Sequence, residues 1–187
     1  MTAPENVPAD ARAVLDFWFV QCTPEQWFKK DAALDAEVLD RFGALHGRAC
    51  AGALDHWMSA PESALALIVL IDQFSRNLHR DSPEAFAQDG RACQLVGRAL
   101  EAGFDRGMTP NQRQFLYMPL MHSEDLDHQD RCVALMHDAG LEKPHGFAVR
   151  HRDIIARFGR FPHRNAVLGR PSTAEEKAFL NQPGSSF

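Results

Sequence analysis

Five short segments of the chain carry the residues that commonly begin an α-helix. Residues 23–26 (TPEQ) and 109–112 (TPNQ) place a threonine before proline, with glutamine three positions after the threonine. The other three segments begin at Ser59, Ser82 and Ser172, and each reaches a glutamate within three residues. Such a hydroxyl accepts a hydrogen bond from a free helix amide, while proline presets a helical φ and Glu or Gln bonds back. Five starts of this kind predict a chain built from helices.

Helix ends and the lack of strand patterns point to the same fold class. Gly47, Gly103, Gly140 and Gly159 each follow a helical run, where a left-handed cap is expected. No segment alternates apolar and polar residues between tight turns, so no strand is predicted. We therefore predict an all-α fold of about nine helices in a single domain, residues 1–187. The predicted helices cover residues 9–20, 24–29, 32–51, 61–79, 83–102, 110–127, 129–139, 144–158 and 173–180.

Composition narrows the class of protein and its partners. Hydrophobic residues make up 45% of the 187 and the formal net charge is −5, so a general nucleic-acid-binding surface is excluded. The N-terminus shows no signal peptide, and the longest apolar run, residues 64–71, is too short to span a bilayer. Because Cys22, Cys50, Cys93 and Cys132 are widely spaced, we expect reduced thiols in a cytoplasmic protein with no membrane partner.

The segment 61–79 is typical of a central helix with charge at its end. Its first turns are apolar on both sides, which predicts a buried position. Its last turns carry Asp72 and Arg76, which are four positions apart and can pair, beside Gln73 and Asn77. Because a buried charge requires a partner, these residues either form a structural ion pair or line the wall of a pocket.

The predicted helix 110–127 contains a histidine that could act as a base. His122 and Asp125 are three positions apart and would share a helix face, with Glu124 on a neighbouring side. A carboxylate bound to one imidazole nitrogen fixes the tautomer that general-base chemistry requires, although the same contact also satisfies a half-buried histidine. His128 lies nearby, but three converging ligands are not formed, and no metal site is predicted.

The segment 157–170 (RFGRFPHRNAVLGR) concentrates positive charge and follows a helix with His151 on its buried side. We expect its phenylalanines to anchor a loop to the core. Guanidinium groups bind carboxylates and phosphates through paired hydrogen bonds. The arginines of this segment therefore either bind Asp72, Glu124 and Asp125, or leave some guanidinium groups free to bind an anionic ligand. The polar candidates here are Arg157, Arg160, His163, Arg164 and Asn165.

Three long segments are similar to a known family. Residues 65–80 (LALIVLIDQFSRNLHR), 115–126 (FLYMPLMHSEDL) and 151–170 (HRDIIARFGRFPHRNAVLGR) resemble the bacterial family called domain of unknown function 924, as do VLDFWF near the start and STAEEKAFL near the end. Ser75 stands where the family pattern Asp-Gln-Phe-Pro-Arg-Asn has proline. The resemblance covers nearly the whole chain. It implies an all-helical fold similar to tetratricopeptide-like arrays, in a bacterial protein with no established activity.

The first role that the sequence leaves open is binding. A helical array presents a concave groove, and Arg76, Arg160 and Arg164 would hold a small anionic molecule or an acidic peptide there. Side-chain amides would orient that ligand, namely those of Gln73, Asn77 and Asn165. A scaffold whose polar network only specifies the fold is the remaining non-enzymatic alternative.

The second role is catalysis. His122 with Asp125, or His151, would serve as the base of a hydrolase or group transferase, and the arginines would stabilise negative charge on an anionic substrate. No phosphate-binding loop, dinucleotide fingerprint or nucleophile elbow is present. The sequence therefore leaves the cofactor and the oligomeric state unknown.

Overall fold

The computed structural model describes residues 7–186, and within them the chain is α-helical with no β-strand. This confirms the predicted all-α fold, while the single domain and the tetratricopeptide-like array stay predictions. None of the helices in this range is long and apolar enough to cross a membrane. The α-helices are α1 (Ala9–Asp16), α2 (Ala32–Cys50), α3 (Pro61–Val69), α4 (Ser75–Leu78), α5 (Asp89–Glu101), α6 (Pro110–His122), α7 (Leu126–Asp138), α8 (Glu142–Phe158) and α9 (Ala174–Leu180).

The central element is the continuous run formed by α3, a π-helical turn (Leu70–Phe74) and α4. Every residue from Ser63 to Ser75 is buried, and α3 packs against α1, α5 and α6. The sequence predicts this run as one helix, and the π turn inside it is the feature that the 3.6-residue pattern does not reveal. Such turns insert one extra residue and are frequent at functional sites. This turn carries Asp72 and Gln73.

Helix α6 begins as the sequence predicts. Thr109 accepts from the amide of Gln112, whose side chain accepts from the amide of Thr109 in return, and proline occupies the first helical position. Helix α9 begins with the same reciprocal pair, between Thr173 and Glu176. Among the glycines, Gly159 ends α8 with a φ of 67°, which a side chain would disfavour.

The predicted helix 24–29 is wrong, because this segment forms only turns. Its start signal is present, since Thr23 and Gln26 exchange hydrogen bonds. Six residues are too few to sustain a helix without packing. The aromatic side chains of this segment instead pack on α6, where the Trp27 ring lies 5.0 Å from the Phe115 ring. Nε1 of Trp27 also donates to the backbone carbonyl of Trp18.

Two predicted helices end or begin in the wrong place, and both differences shape the site. The predicted helix 83–102 is a 3₁₀ turn (Pro83–Phe86) followed by α5. The predicted helix 110–127 ends at His122, because Ser123 is extended and the Gln129 amide donates to the carbonyls of Met121 and Ser123. Those two bonds satisfy carbonyls that a helix end leaves free.

The chain after α8 folds back over the end of α6. A 3₁₀ turn (Pro162–Arg164) follows Gly159, and a small separate core forms around Ile154, Ile155 and Phe161. Helix α9 completes this core with Phe179, whose ring lies 5.0 Å from that of Phe158. The segment 160–170 is thereby held against the junction between α6 and α7.

Candidate functional site

Five residues from five elements form a closed circuit of hydrogen bonds and ion pairs, which we call the ionic ring. Asp72 lies in the π turn and Arg76 in α4, while Asp89 begins α5, His122 ends α6 and Arg164 lies in the last 3₁₀ turn. Consecutive members contact one another, so the ring ties together elements that are far apart in the sequence.

The first half of the ring surrounds the Asp72 carboxylate, which is only 1% exposed. Its Oδ1 lies 2.8 Å from Nδ1 of His122 and 3.1 Å from Nη1 of Arg76. Its Oδ2 accepts from the amide of Gln73 at 2.6 Å. Both oxygens of this buried carboxylate are therefore satisfied, as a buried charge requires.

The second half of the ring is bridged by Asp89. Its Oδ1 accepts from Arg76 at 2.9 Å and its Oδ2 accepts from Arg164 at 3.0 Å. Arg164 then donates to the backbone carbonyl of His122 at 3.0 Å, which closes the circuit. The guanidinium of Arg164 lies between the rings of Phe86 and Phe161, at 4.4 and 4.6 Å from their centroids, so it is held in one position.

The protonation states within the ring follow from its charges. Burial raises the pKa of the Asp72 carboxyl, but Arg76 and His122 outweigh it and hold that pKa well below its usual range. Burial and the Arg76 guanidinium lower the pKa of His122 despite the nearby Asp72 carboxylate. His122 is therefore a neutral imidazole at pH 7. Because an ionised carboxylate only accepts hydrogen bonds, the proton lies on Nδ1 and Nε2 keeps its lone pair.

A cleft of about 310 Å³ opens beside the ring. The His122 side chain is 15% exposed there, and its Nε2 makes no hydrogen bond to any of residues 7–186. The cleft is lined by a polar group, Asp89, His122, Ser123, Glu124 and Arg164, and by an apolar group, Pro83, Phe86, Ala87, Gly90 and Leu168. Because Nδ1 of His122 is bound to Asp72, Nε2 is the ring nitrogen left available to a small molecule in this space.

Glu124 lines the cleft beside the ionic ring and forms a separate ion pair with Arg170. Its two oxygens accept from Nη1 and Nη2 of Arg170 at 2.6 and 2.9 Å, and Oε1 also accepts from the amide of Phe161. Burial raises the pKa of the Glu124 carboxyl, but these bonds outweigh it and the pKa is lowered. Arg170 in turn donates to Asn165, so this wall is cross-linked to the loop that carries Arg164.

The predicted pairing of His122 with Asp125 is wrong. Helix α6 ends at His122, so the two residues do not share a helix face. Asp125 caps α7, accepting from the amides of Asp127 and His128. The carboxylate that binds His122 is Asp72, which lies 50 positions earlier in the chain.

Several predicted residues lie outside the cleft, each with a partner of its own. Asn77 donates to Asp35, and Nδ1 of His151 lies 2.8 Å from the carbonyl of Phe147. Burial lowers the pKa of His151 to about 3. The half-buried His163 belongs to the same 3₁₀ turn as Arg164, and burial lowers its pKa to about 4. The remaining one is Asn165, which donates to Ser172.

Two of the predicted arginines bind α9 rather than the cleft. Arg160 forms two hydrogen bonds with the carboxylate of Glu176, at 2.6 and 2.9 Å, and Arg157 pairs with Glu175. The sequence offered Asp72, Glu124 and Asp125 as partners for this segment, but α9 folds back and supplies its own acidic residues. The arginines that reach the site are Arg76, Arg164 and Arg170.

Asp89 and Ser123 are the polar cleft residues that sequence reasoning missed. Asp89 lies 13 positions from Arg76 and 75 from Arg164, so no local spacing reveals its bridging position. Ser123 directly follows the end of α6 at His122, whereas the sequence pattern predicted that this helix continues to residue 127. No group of three His, Cys, Asp or Glu side chains among residues 7–186 is arranged to hold a metal ion.

Residues 14–184 match the model of a bacterial protein family of unknown function, DUF924. The chain belongs to this family. Its structure is similar to the solved structure of a protein of unknown function from Agrobacterium tumefaciens, with 40% sequence identity and a TM-score of 0.90, over 94% of this chain and 99% of that one. No curated protein matches this DUF924 chain. The family match confirms the resemblance that the three long sequence segments indicate.

Replacing Asp89 by Asn tests whether the ring holds the fold together. The substitution leaves Arg76 and Arg164 near each other without their shared carboxylate, which is 13% exposed. Removing one member of a buried ion pair costs about 3–5 kcal/mol, and we expect the free energy of unfolding in urea to fall by that amount.

The matched control is Asp130→Asn, which breaks an ion pair with Arg152 between side chains 53% and 40% exposed. We expect this change to cost about 0–1 kcal/mol. An equal loss of unfolding free energy in the two variants would show that the ionic ring stabilises the fold no more than an exposed ion pair does.

The buried histidines predict a loss of stability on mild acidification. Burial lowers the pKa of His46 to about 4 and that of His151 to about 3. Below about pH 6.5 the unfolded chain binds protons at these positions that the folded chain does not, so stability falls as the pH falls. Each such histidine costs about 1.4 kcal/mol per pH unit below 6.5.

Urea unfolding at pH 7.0 and pH 5.5 measures this effect. We expect a lower free energy of unfolding at pH 5.5, and a smaller difference in His46→Asn. An unchanged stability between the two pH values would show that the histidines titrate in the folded protein.

Proposed function

We propose that this DUF924 protein is an enzyme that binds a small substrate in the cleft and uses Nε2 of His122 as a general base. The observation that carries the proposal is the contact between Nδ1 of His122 and the buried Asp72 carboxylate in a histidine that lines the cleft, which leaves Nε2 available to a substrate. A carboxylate placed in this way fixes the tautomer and stabilises the imidazolium that forms when Nε2 takes a proton.

The electrostatics of the ring support the same role. A base must be unprotonated before it acts, and the lowered pKa of His122 meets that condition at neutral pH. The ring also fixes the position of the imidazole, because Asp72 binds its side chain and Arg164 binds its backbone carbonyl. A fixed base avoids reorganisation during proton transfer.

The reaction class that follows is hydrolysis or group transfer. In both, a base removes the proton from an attacking water or hydroxyl as the new bond forms. A protein that only binds a ligand, or that only uses the ring as a scaffold, would not depend on the basicity of Nε2. The test therefore measures a rate rather than binding alone.

The uncharged chromogenic ester p-nitrophenyl acetate provides a first assay. We expect His122→Gln to lower the rate of hydrolysis by about 10²–10⁴-fold, the usual contribution of a general base. The exposed His137 gives the control, since His137→Gln removes a histidine whose side chain is 74% exposed. That variant should retain the full rate.

The dependence of the rate on pH provides the second readout. The rate should rise as His122 loses its proton, with an inflection below pH 6.5 because its pKa is lowered. If purified protein hydrolyses p-nitrophenyl acetate no faster than His122→Gln, the catalytic proposal fails. A compound that still raises the melting temperature in both would then indicate a binding protein.

A further inference from the structure

The charges around the cleft cancel one another inside the protein. The carboxylates are Asp72, Asp89 and Glu124, and the guanidiniums are Arg76, Arg164 and Arg170. Each carboxylate pairs with at least one of these guanidiniums, and His122 adds no charge in its neutral form. Of these six, Asp89, Glu124 and Arg164 line the cleft, and no other lining residue is charged.

The charged groups at the cleft also already bind one another. Both oxygens of Asp89 accept from arginines, and both oxygens of Glu124 accept from Arg170. Arg164 donates from Nη1 to Asp89 and from Nη2 to the carbonyl of His122, and its Nε is buried without a hydrogen-bond partner among residues 7–186. The rings of Phe86 and Phe161 lie 4.4 and 4.6 Å from its guanidinium carbon. An anion would have to displace a carboxylate or bring an uncompensated charge into the cleft, and both are costly.

What the cleft does offer is an acceptor nitrogen beside an apolar surface. Nε2 of His122 can accept from a hydroxyl or an amide, and Pro83, Phe86 and Leu168 supply the apolar contact. A volume of about 310 Å³ corresponds to roughly ten water molecules at about 30 Å³ each. The space therefore suits a ligand of roughly ten non-hydrogen atoms.

We propose that the substrate is an uncharged small molecule with one apolar side and a hydroxyl or amide that donates to Nε2 of His122. This inference rests on the proposed function, whose site it shares, and adds the substrate class. It differs from the expectation raised by the arginine-rich sequence, in which those arginines bind an anion. In the folded protein they bind Asp89, Glu124 and Glu176 instead.

Three probes of the same size and shape separate the alternatives, namely benzamide, benzoate and benzamidine, which are neutral, negative and positive. Binding is followed through the imidazole nitrogen signals of His122 by NMR, with His122→Gln identifying those signals. We expect benzamide to bind saturably and at least tenfold more tightly than either charged probe.

Two conservative variants change the charge of the cleft without removing its hydrogen bonds entirely. Glu124→Gln leaves Arg170 without its carboxylate, and Arg170→Gln leaves Glu124 without its cation. We expect the first variant to gain at least fivefold in benzoate affinity relative to benzamide. The second should gain similarly for benzamidine, and melting curves confirm that both variants are folded.

A wild-type protein that binds benzoate as tightly as benzamide, or more tightly, overturns the inference and restores an anionic substrate. Failure of all three probes to perturb His122 also overturns it, since a neutral ring of this size would then not enter the cleft. Neither result bears on the hydrolysis assay. In that assay, an equal rate for the wild-type protein and His122→Gln is the separate sign that the proposed base is wrong.

Discussion

The buried carboxylate of Asp72 is the constraint on which the rest of the site depends. A lone carboxylate at this depth would cost several kcal/mol, so the fold must supply donors around it. It does so from three directions, with Arg76 one turn along the chain, Gln73 beside it and His122 from another helix. The position of α6 relative to the central helix is set in part by this requirement.

The same contacts that satisfy Asp72 also create the chemistry of the cleft. His122 must present Nδ1 to the carboxylate, and the opposite nitrogen then borders the open space. Asp89 and Arg164 complete the ring and hold the backbone of His122 as well. A site formed in this way is already arranged before any ligand arrives, which is the condition that favours catalysis by a fixed base.

The sequence predicts those features that depend on near neighbours. The helix starts at Thr109 and Thr173 and the pairing of Asp72 with Arg76 all involve residues within four positions. The helical class follows from many such signals. Even the position of charge at the end of a buried helix could be inferred, because a helix apolar on both sides has to be central.

Features that depend on the path of the chain could not be predicted in this way. The His122–Asp72 contact spans 50 positions, and the end of α6 depends on Gln129 from the next helix. The arginine-rich segment suggests Arg160 as a ligand residue, yet Glu176 binds it once α9 folds back. The choice among carboxylate partners is a tertiary effect that residue spacing does not encode.

The protonation of the two His122 nitrogens tests the central claim most directly. Nitrogen NMR of ¹⁵N-labelled protein at pH 7 distinguishes a protonated from an unprotonated ring nitrogen, and His122→Gln assigns the signals. The account predicts a proton on Nδ1 and none on Nε2. A proton on Nε2, either as the other neutral tautomer or as the imidazolium, would contradict it, because the nitrogen at the cleft could not then act as a base.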